Sequence, residues 1–122
     1  MRICTWSLLA LAAMISVGCQ STGPTPGSSE ISYAVRGGYE KALVTYAFPG
    51  DTVCSNVIYG GWYTPSRKAV AGGLYWISAT VLTPPESKRN ALTVSIEVDD
   101  EAWKIASDEG VFPQCEVWGK IH

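Results

Sequence analysis

From residue 30 onward, apolar and polar side chains alternate in short runs punctuated by glycine and proline. Ile31, Tyr33 and Val35 alternate with small or polar neighbours until Gly37-Gly38. Ala42, Val44 and Tyr46 do the same up to Pro49-Gly50-Asp51, and Val53 to Tyr59 runs up to Gly60-Gly61. Arg67 to Ala71 is a weaker candidate, and Leu74 to Val81 is strongly β-prone before Pro84-Pro85. Leu92, Val94, Ile96 and Val98 oppose Thr93, Ser95 and Glu97, so this strand has one buried and one wet face. Asp99-Asp100 turns the chain into Ala102 to Ala106, where Trp103 and Ile105 can share a face, and Ser107 to Gly110 turns it again. Cys115, Val117, Gly119 and Ile121 alternate with Glu116, Trp118 and Lys120 in a last strand.

No segment carries a 3.6-residue apolar period over helical length. Period-two runs closed by turns predict an all-β protein, an antiparallel β-sandwich of about seven strands over residues 30–122.

The residues before 30 have a different character. Arg2 precedes an apolar stretch from Ile3 to Val17, Gly18 follows, and Cys19 comes next. A charged start, an apolar middle and a small-residue cleavage point are the layout of a secretory signal peptide. The cysteine after the cut resembles the lipobox of bacterial lipoproteins, with Ser16 where that motif usually has Leu. The apolar stretch, interrupted by Thr5 and Ser7, is shorter than the roughly 20 residues that cross a bilayer as a helix. Residues 1–18 are therefore expected to be a cleaved signal, and Cys19 the lipidated N-terminus of the working protein. Residues 20–29 contain no hydrophobic side chain large enough for a core and read as a flexible tether.

Charge narrows the partners. Nine basic residues face eleven acidic ones, and Arg2 leaves with the signal. This mildly acidic balance gives no electrostatic reason for nucleic acid or anionic lipid as a partner. Of the four cysteines, Cys4 lies in the signal and Cys19 is assigned to lipid. Cys54 and Cys115 remain, and in an oxidising compartment a disulfide between them is the default. It would close a loop of roughly 60 residues, for about 4 kcal/mol by chain entropy. The other readings are two free thiols or a metal pair; the metal pair is disfavoured because His122, at the end of the sequence, is the sole histidine.

Catalytic chemistry is sparse. The sequence has no Gly-x-Ser-x-Gly, phosphate-cradling glycine loop or paired metal motif, so a non-enzymatic protein without cofactor or metal is expected. Asp99-Asp100-Glu101 is the densest acidic cluster and reads as a solvated turn. Aromatic residues are the remaining signal. If Cys115 faces inward, the alternation turns Trp118 outward, and Tyr75 and Trp76 must face opposite ways. Tyr59, Trp62, Tyr63, Trp76 and Trp118 are candidates for an exposed patch that meets a protein or lipid; the competing reading is that they cover strand edges or fill the ends of the sandwich.

Tyr33-Ala34-Val35-Arg36-Gly37, Val44-Thr45-Tyr46, Trp62, Ile77-Ser78-Ala79 and Thr93-Val94-Ser95-Ile96-Glu97-Val98-Asp99, with Gly110 and Cys115 beyond, resemble in order and spacing the MmpS family of small mycobacterial envelope proteins. The likeness spans about residues 31–119. The family's first cysteine falls at Val94, and its usual anchor is a transmembrane helix rather than a lipid. The resemblance implies an immunoglobulin-like sandwich that serves as accessory to a transporter of the resistance–nodulation–division type. The alternative is a stand-alone surface-binding or inhibitory lipoprotein, including a phage-encoded one that blocks a receptor. Both place the protein in the bacterial envelope, extracytoplasmic and held to the membrane by its N-terminal lipid. Gln20, in place of the Asp that retains some lipoproteins at the inner membrane, points to the outer membrane where a host has one.

Overall fold

The computed structural model describes residues 24–83 and 90–122. The signal segment 1–18, Cys19, residues 20–23 and Pro84-Pro85 with the four residues after them lie outside the described residues. Nine strands follow in order: β1 (Glu30–Arg36), β2 (Lys41–Ala47), β3 (Cys54–Ile58), β4 (Trp62–Tyr63), β5 (Arg67–Lys68), β6 (Leu74–Thr83), β7 (Asn90–Val98), β8 (Glu101–Gly110) and β9 (Gln114–Lys120). A four-stranded sheet has the order β9-β6-β2-β3. A five-stranded sheet has the order β4-β1-β7-β8, with β5 also pairing β1. Every pairing is antiparallel.

The chain is thus the two-layer antiparallel sandwich its alternation predicts, with nine strands rather than about seven. It shares the layering of immunoglobulin-like domains and has strand orders of its own. Ile31, Tyr33 and Val35 of β1, Ala42 and Val44 of β2, Tyr75, Ile77, Ala79 and Val81 of β6, and Leu92, Val94 and Ile96 of β7 are the inward-facing positions, and all are buried. Burying such side chains contributes about 1.5–3 kcal/mol each for the larger aliphatic ones, before the entropy cost of ordering them.

Aromatic rings fill one end of this core. Tyr33 lies 4.7 Å from Phe48 and 5.7 Å from Tyr46, centroid to centroid, and Tyr46 lies 5.2 Å from Trp62. The Tyr33 hydroxyl crosses from one sheet to the other: it donates to the Ala47 carbonyl and accepts from the Trp76 amide at 2.9 Å. Burial pushes that phenol well above its ordinary pKa, so it remains a neutral donor.

The β7–β8 turn is two residues long, with Asp99 at φ 51° and Asp100 at φ 69°. Positive φ at both central positions is the hairpin geometry that Asp tolerates better than most residues. Asp99 also accepts from the Glu30 amide through its side chain at 2.9 Å, tying the turn to β1.

Four expectations are corrected. The tether is shorter than 20–29: Gly27 donates to Ala69 at 2.8 Å, Ala69 donates back to Ser29 at 2.9 Å, and Ser29 is buried. Arg67–Ala71 contributes only the two-residue β5, and a further two-residue strand, β4, carries Trp62 and Tyr63. Ser107–Gly110 extends β8 rather than turning, because β7 begins at Asn90 and offers Ala91, Leu92 and Thr93 as partners. Trp103 and Ile105 do not share a face. A register shift sets Ile96 opposite Lys104 but Glu97 opposite Ala102, which leaves Trp103 as the extra residue of a bulge. Its ring packs over Gly119, where an added Cβ would lie 2.6 Å from the indole.

Candidate functional site

The outer face of the four-stranded sheet is built from the alternate positions of β6, β9, β2 and β3. Inward Tyr75, Ile77 and Ala79 turn Trp76, Ser78 and Thr80 outward, and inward Cys115 and Val117 turn Gln114, Glu116 and Trp118 outward. The register aligns these side chains in rows across the strands. Trp118 stands opposite Trp76, and Trp76 opposite Ala47. The next row is Glu116, Ser78, Thr45 and Ser55; the one after is Gln114, Thr80, Leu43 and Val57.

Two properties mark this face, although the other outer face also exposes Tyr63 and Ile105. Trp118 is 63% exposed although it lies on a regular strand, and Leu74, Leu82 and Val57 on the same face are exposed as well. Beside the tryptophan row, Ser78, Ala79, Thr80, Gln114, Cys115 and Glu116 line a shallow trough of about 360 Å³. The Trp76 indole N–H donates to the Glu116 carboxylate at 2.7 Å, which holds that ring in place at the trough's end. Thr45 and Ser55 share a hydrogen bond of 3.0 Å further along the same row. The face thus offers one free indole, one fixed indole, and a strip of carboxylate, carboxamide and hydroxyl groups. It can hold a partner by apolar contact and by hydrogen bonds. The polar members were legible as the alternate positions of β6 and β9, but sequence reasoning attended to the aromatics alone.

The five sequence candidates do not form one patch. Trp76 and Trp118 come together, as cross-strand neighbours. Tyr63 is 78% exposed but lies in the other sheet, opposite Ala34. Trp62, its neighbour in β4, turns inward against Tyr46. Tyr59 is exposed at the end of β3. The division arises between β3 and β4, where the chain crosses from one sheet to the other and adjacent residues are dealt to different surfaces.

Cys54 and Cys115 are free thiols, and the bridge expected between them is not formed. Both belong to the four-stranded sheet, but Cys54 lies on β3 at one edge and Cys115 on β9 at the other. Three strand spacings separate them, about 14 Å, whereas a disulfide needs Cα atoms within about 7 Å. Cys54 is exposed. Cys115 sits between the sheets with its sulfur 3.6 Å from the Ala106 carbonyl, and burial raises its pKa.

Among the described residues, no three His, Cys, Asp or Glu side chains gather in a metal-binding group. No family model matches the chain, and no curated protein or solved structure matches it either.

Proposed function

We propose that this chain is a non-enzymatic binding protein of the bacterial envelope, held to a membrane by lipid at Cys19, that engages its partner with the outer face of the four-stranded sheet. The observation that carries the reading is Trp118, 63% exposed beside Trp76 and above a polar trough. Exposed tryptophan set among apolar and polar groups is the composition of binding hot spots. The arrangement of short motifs that resembles the MmpS family makes a membrane transporter the partner to test first, with this domain as its accessory. The N-terminal charge, apolar run and Cys19 support tethering, which would keep the domain near such a partner.

A photo-reactive amino acid in place of Gln114, in the trough, with Trp118 intact, in the full chain in intact cells, tests the reading. A discrete adduct from position 114, absent when the same group replaces Ser32 on the opposite sheet, is expected. Equal labelling from both positions, or from neither, would overturn it.

A further inference from the structure

The sandwich has four lateral edges, and three of them are defended against another strand. The β8 edge carries Glu101, Lys104, Asp108 and Glu109 and a bulge at Trp103. On the β9 edge stand Glu116 and Lys120. The β4 and β5 edge is two short pieces separated by Pro65, with Arg67 and Lys68 in the second. Charge, bulges, proline and brevity are the devices that keep unpaired backbone from recruiting a foreign strand. The fourth edge, β3, has none but its modest length. From Thr52 to Tyr59 it holds no charged residue, no proline and no register shift. Cys54, Ser55, Asn56 and Val57 are all exposed, and Val53, Val57 and Tyr59 are 62%, 46% and 73% exposed.

We propose that β3 pairs antiparallel with β3 of a second copy, joining two four-stranded sheets into one of eight strands. The occupant follows from charge and register. The longer exposed edges of this domain, β8 and β9, would bring Glu, Asp or Lys against an uncharged row, and β4 is only two residues long. A second β3 brings none. Directly opposed residues in an antiparallel pair lie on the same face, so the two-fold axis must pass through a residue and not between two. With the axis at Ser55, Val53 of each copy stands opposite Val57 of the other, and Cys54 opposite Asn56. The four exposed valines are then covered in two cross-strand apolar pairs. An axis at Cys54 would instead set Val57 against Asp51.

The pairing has a functional consequence, which rests on the reading of the outer face given above. The axis is perpendicular to the sheet, so both outer faces point the same way. The two Trp118–Trp76 rows then lie on one continuous surface, eight strands and roughly 35–40 Å wide at about 4.8 Å per strand. A dimer of this kind presents two binding surfaces to one side and gains from bivalency against a symmetric or repetitive partner.

Opposed residues at the axis have Cα atoms about 4.5–5.5 Å apart, within disulfide range. The two Cys54 residues would be diagonal neighbours, roughly 7–8 Å apart and outside it. The test is oxidative cross-linking with copper–phenanthroline of the full chain in whole cells, using Ser55→Cys in a Cys54→Ser background. A band at twice the chain mass is expected from Ser55→Cys, and little or none from Glu101→Cys on the β8 edge in the same background. Adding Val57→Lys to Ser55→Cys should abolish the band while leaving the melting temperature of the chain unchanged. No more cross-linking from Ser55→Cys than from Glu101→Cys, or cross-linking that survives Val57→Lys, would overturn the pairing whether or not the outer face binds a partner.

Discussion

The two outer faces of the sandwich are made of the same strand geometry but are finished differently. On the five-stranded sheet one row runs Tyr63, Ala34, Ser95 and Ile105. The two central residues are small and 1% exposed each, flanked by the large side chains of Tyr63 and Ile105. Arg36 reaches Glu97 at 2.9 Å, Ser95 donates to the same carboxylate oxygen at 3.3 Å, and Thr93 and Ser107 bond at 2.9 Å. That face spends its polar groups on itself. On the four-stranded sheet, Trp76 is tied to Glu116, while Trp118, Gln114 and Thr80 have no such side-chain partner among the described residues. A finished surface and an unfinished one, on the same small domain, teach which of the two has groups left for another molecule.

The largest expected effect breaks the comparison at matched serines. Ser95→Leu forces extra volume into a filled row and should cost about 1–3 kcal/mol. Ser78→Leu, on the open face, should change stability by no more than about 0.5 kcal/mol. Thermal melts of the two variants check this; in a domain of this size each kcal/mol moves the midpoint by about 4–8 °C. Equal losses would mean the two faces are equally packed.

A smaller effect concerns the edge of the finished sheet. Lys68 bonds the Glu30 carboxylate at 3.0 Å, Ser66 donates to it as well, and the two hold its pKa below the ordinary value of 4.5. A carboxyl whose pKa is lowered by folding stabilises the fold above its unfolded value and loses that contribution as the pH falls through the folded one. The melting temperature should therefore drop slightly below pH 4.5, and Lys68→Met should flatten that part of the profile. The Glu30 side chain is partly exposed and solvent screens the pair, so the change is small.

What could be read from the sequence follows from how burial writes itself into a strand. In β7 apolar Leu92, Val94 and Ile96 alternate with Thr93 and Ser95, so its inward face was legible, although Ser95 on the outward face is covered by its own row instead of wet. The same holds for β9, where inward Cys115 and Val117 turned Trp118 outward. Edge strands wet on both faces lack that imprint, which is why Ser107–Gly110 resembled a turn. Lateral position leaves no imprint either. Cys54 and Cys115 both pair with inward-turned residues, Tyr46 and Ala79, yet alternation cannot say that β6 and β2 stand between their strands. Nor does it show that the chain changes sheets between Ile58 and Trp62, which is what dispersed the Tyr59–Tyr63 aromatics. Half of the candidate site, the tryptophan pair, was thus accessible from alternation; the trough beside it required knowing that β6 and β9 are neighbours.

Trp118→Ala, followed by thermal melting and by adduct formation from a photo-reactive group at the neighbouring Glu116 position, tests the central claim most directly. Removing a side chain that is 63% exposed should leave the midpoint within a few degrees of the parent and sharply reduce the adduct. A large fall in melting temperature with an undiminished adduct would show that Trp118 serves the fold and not a partner.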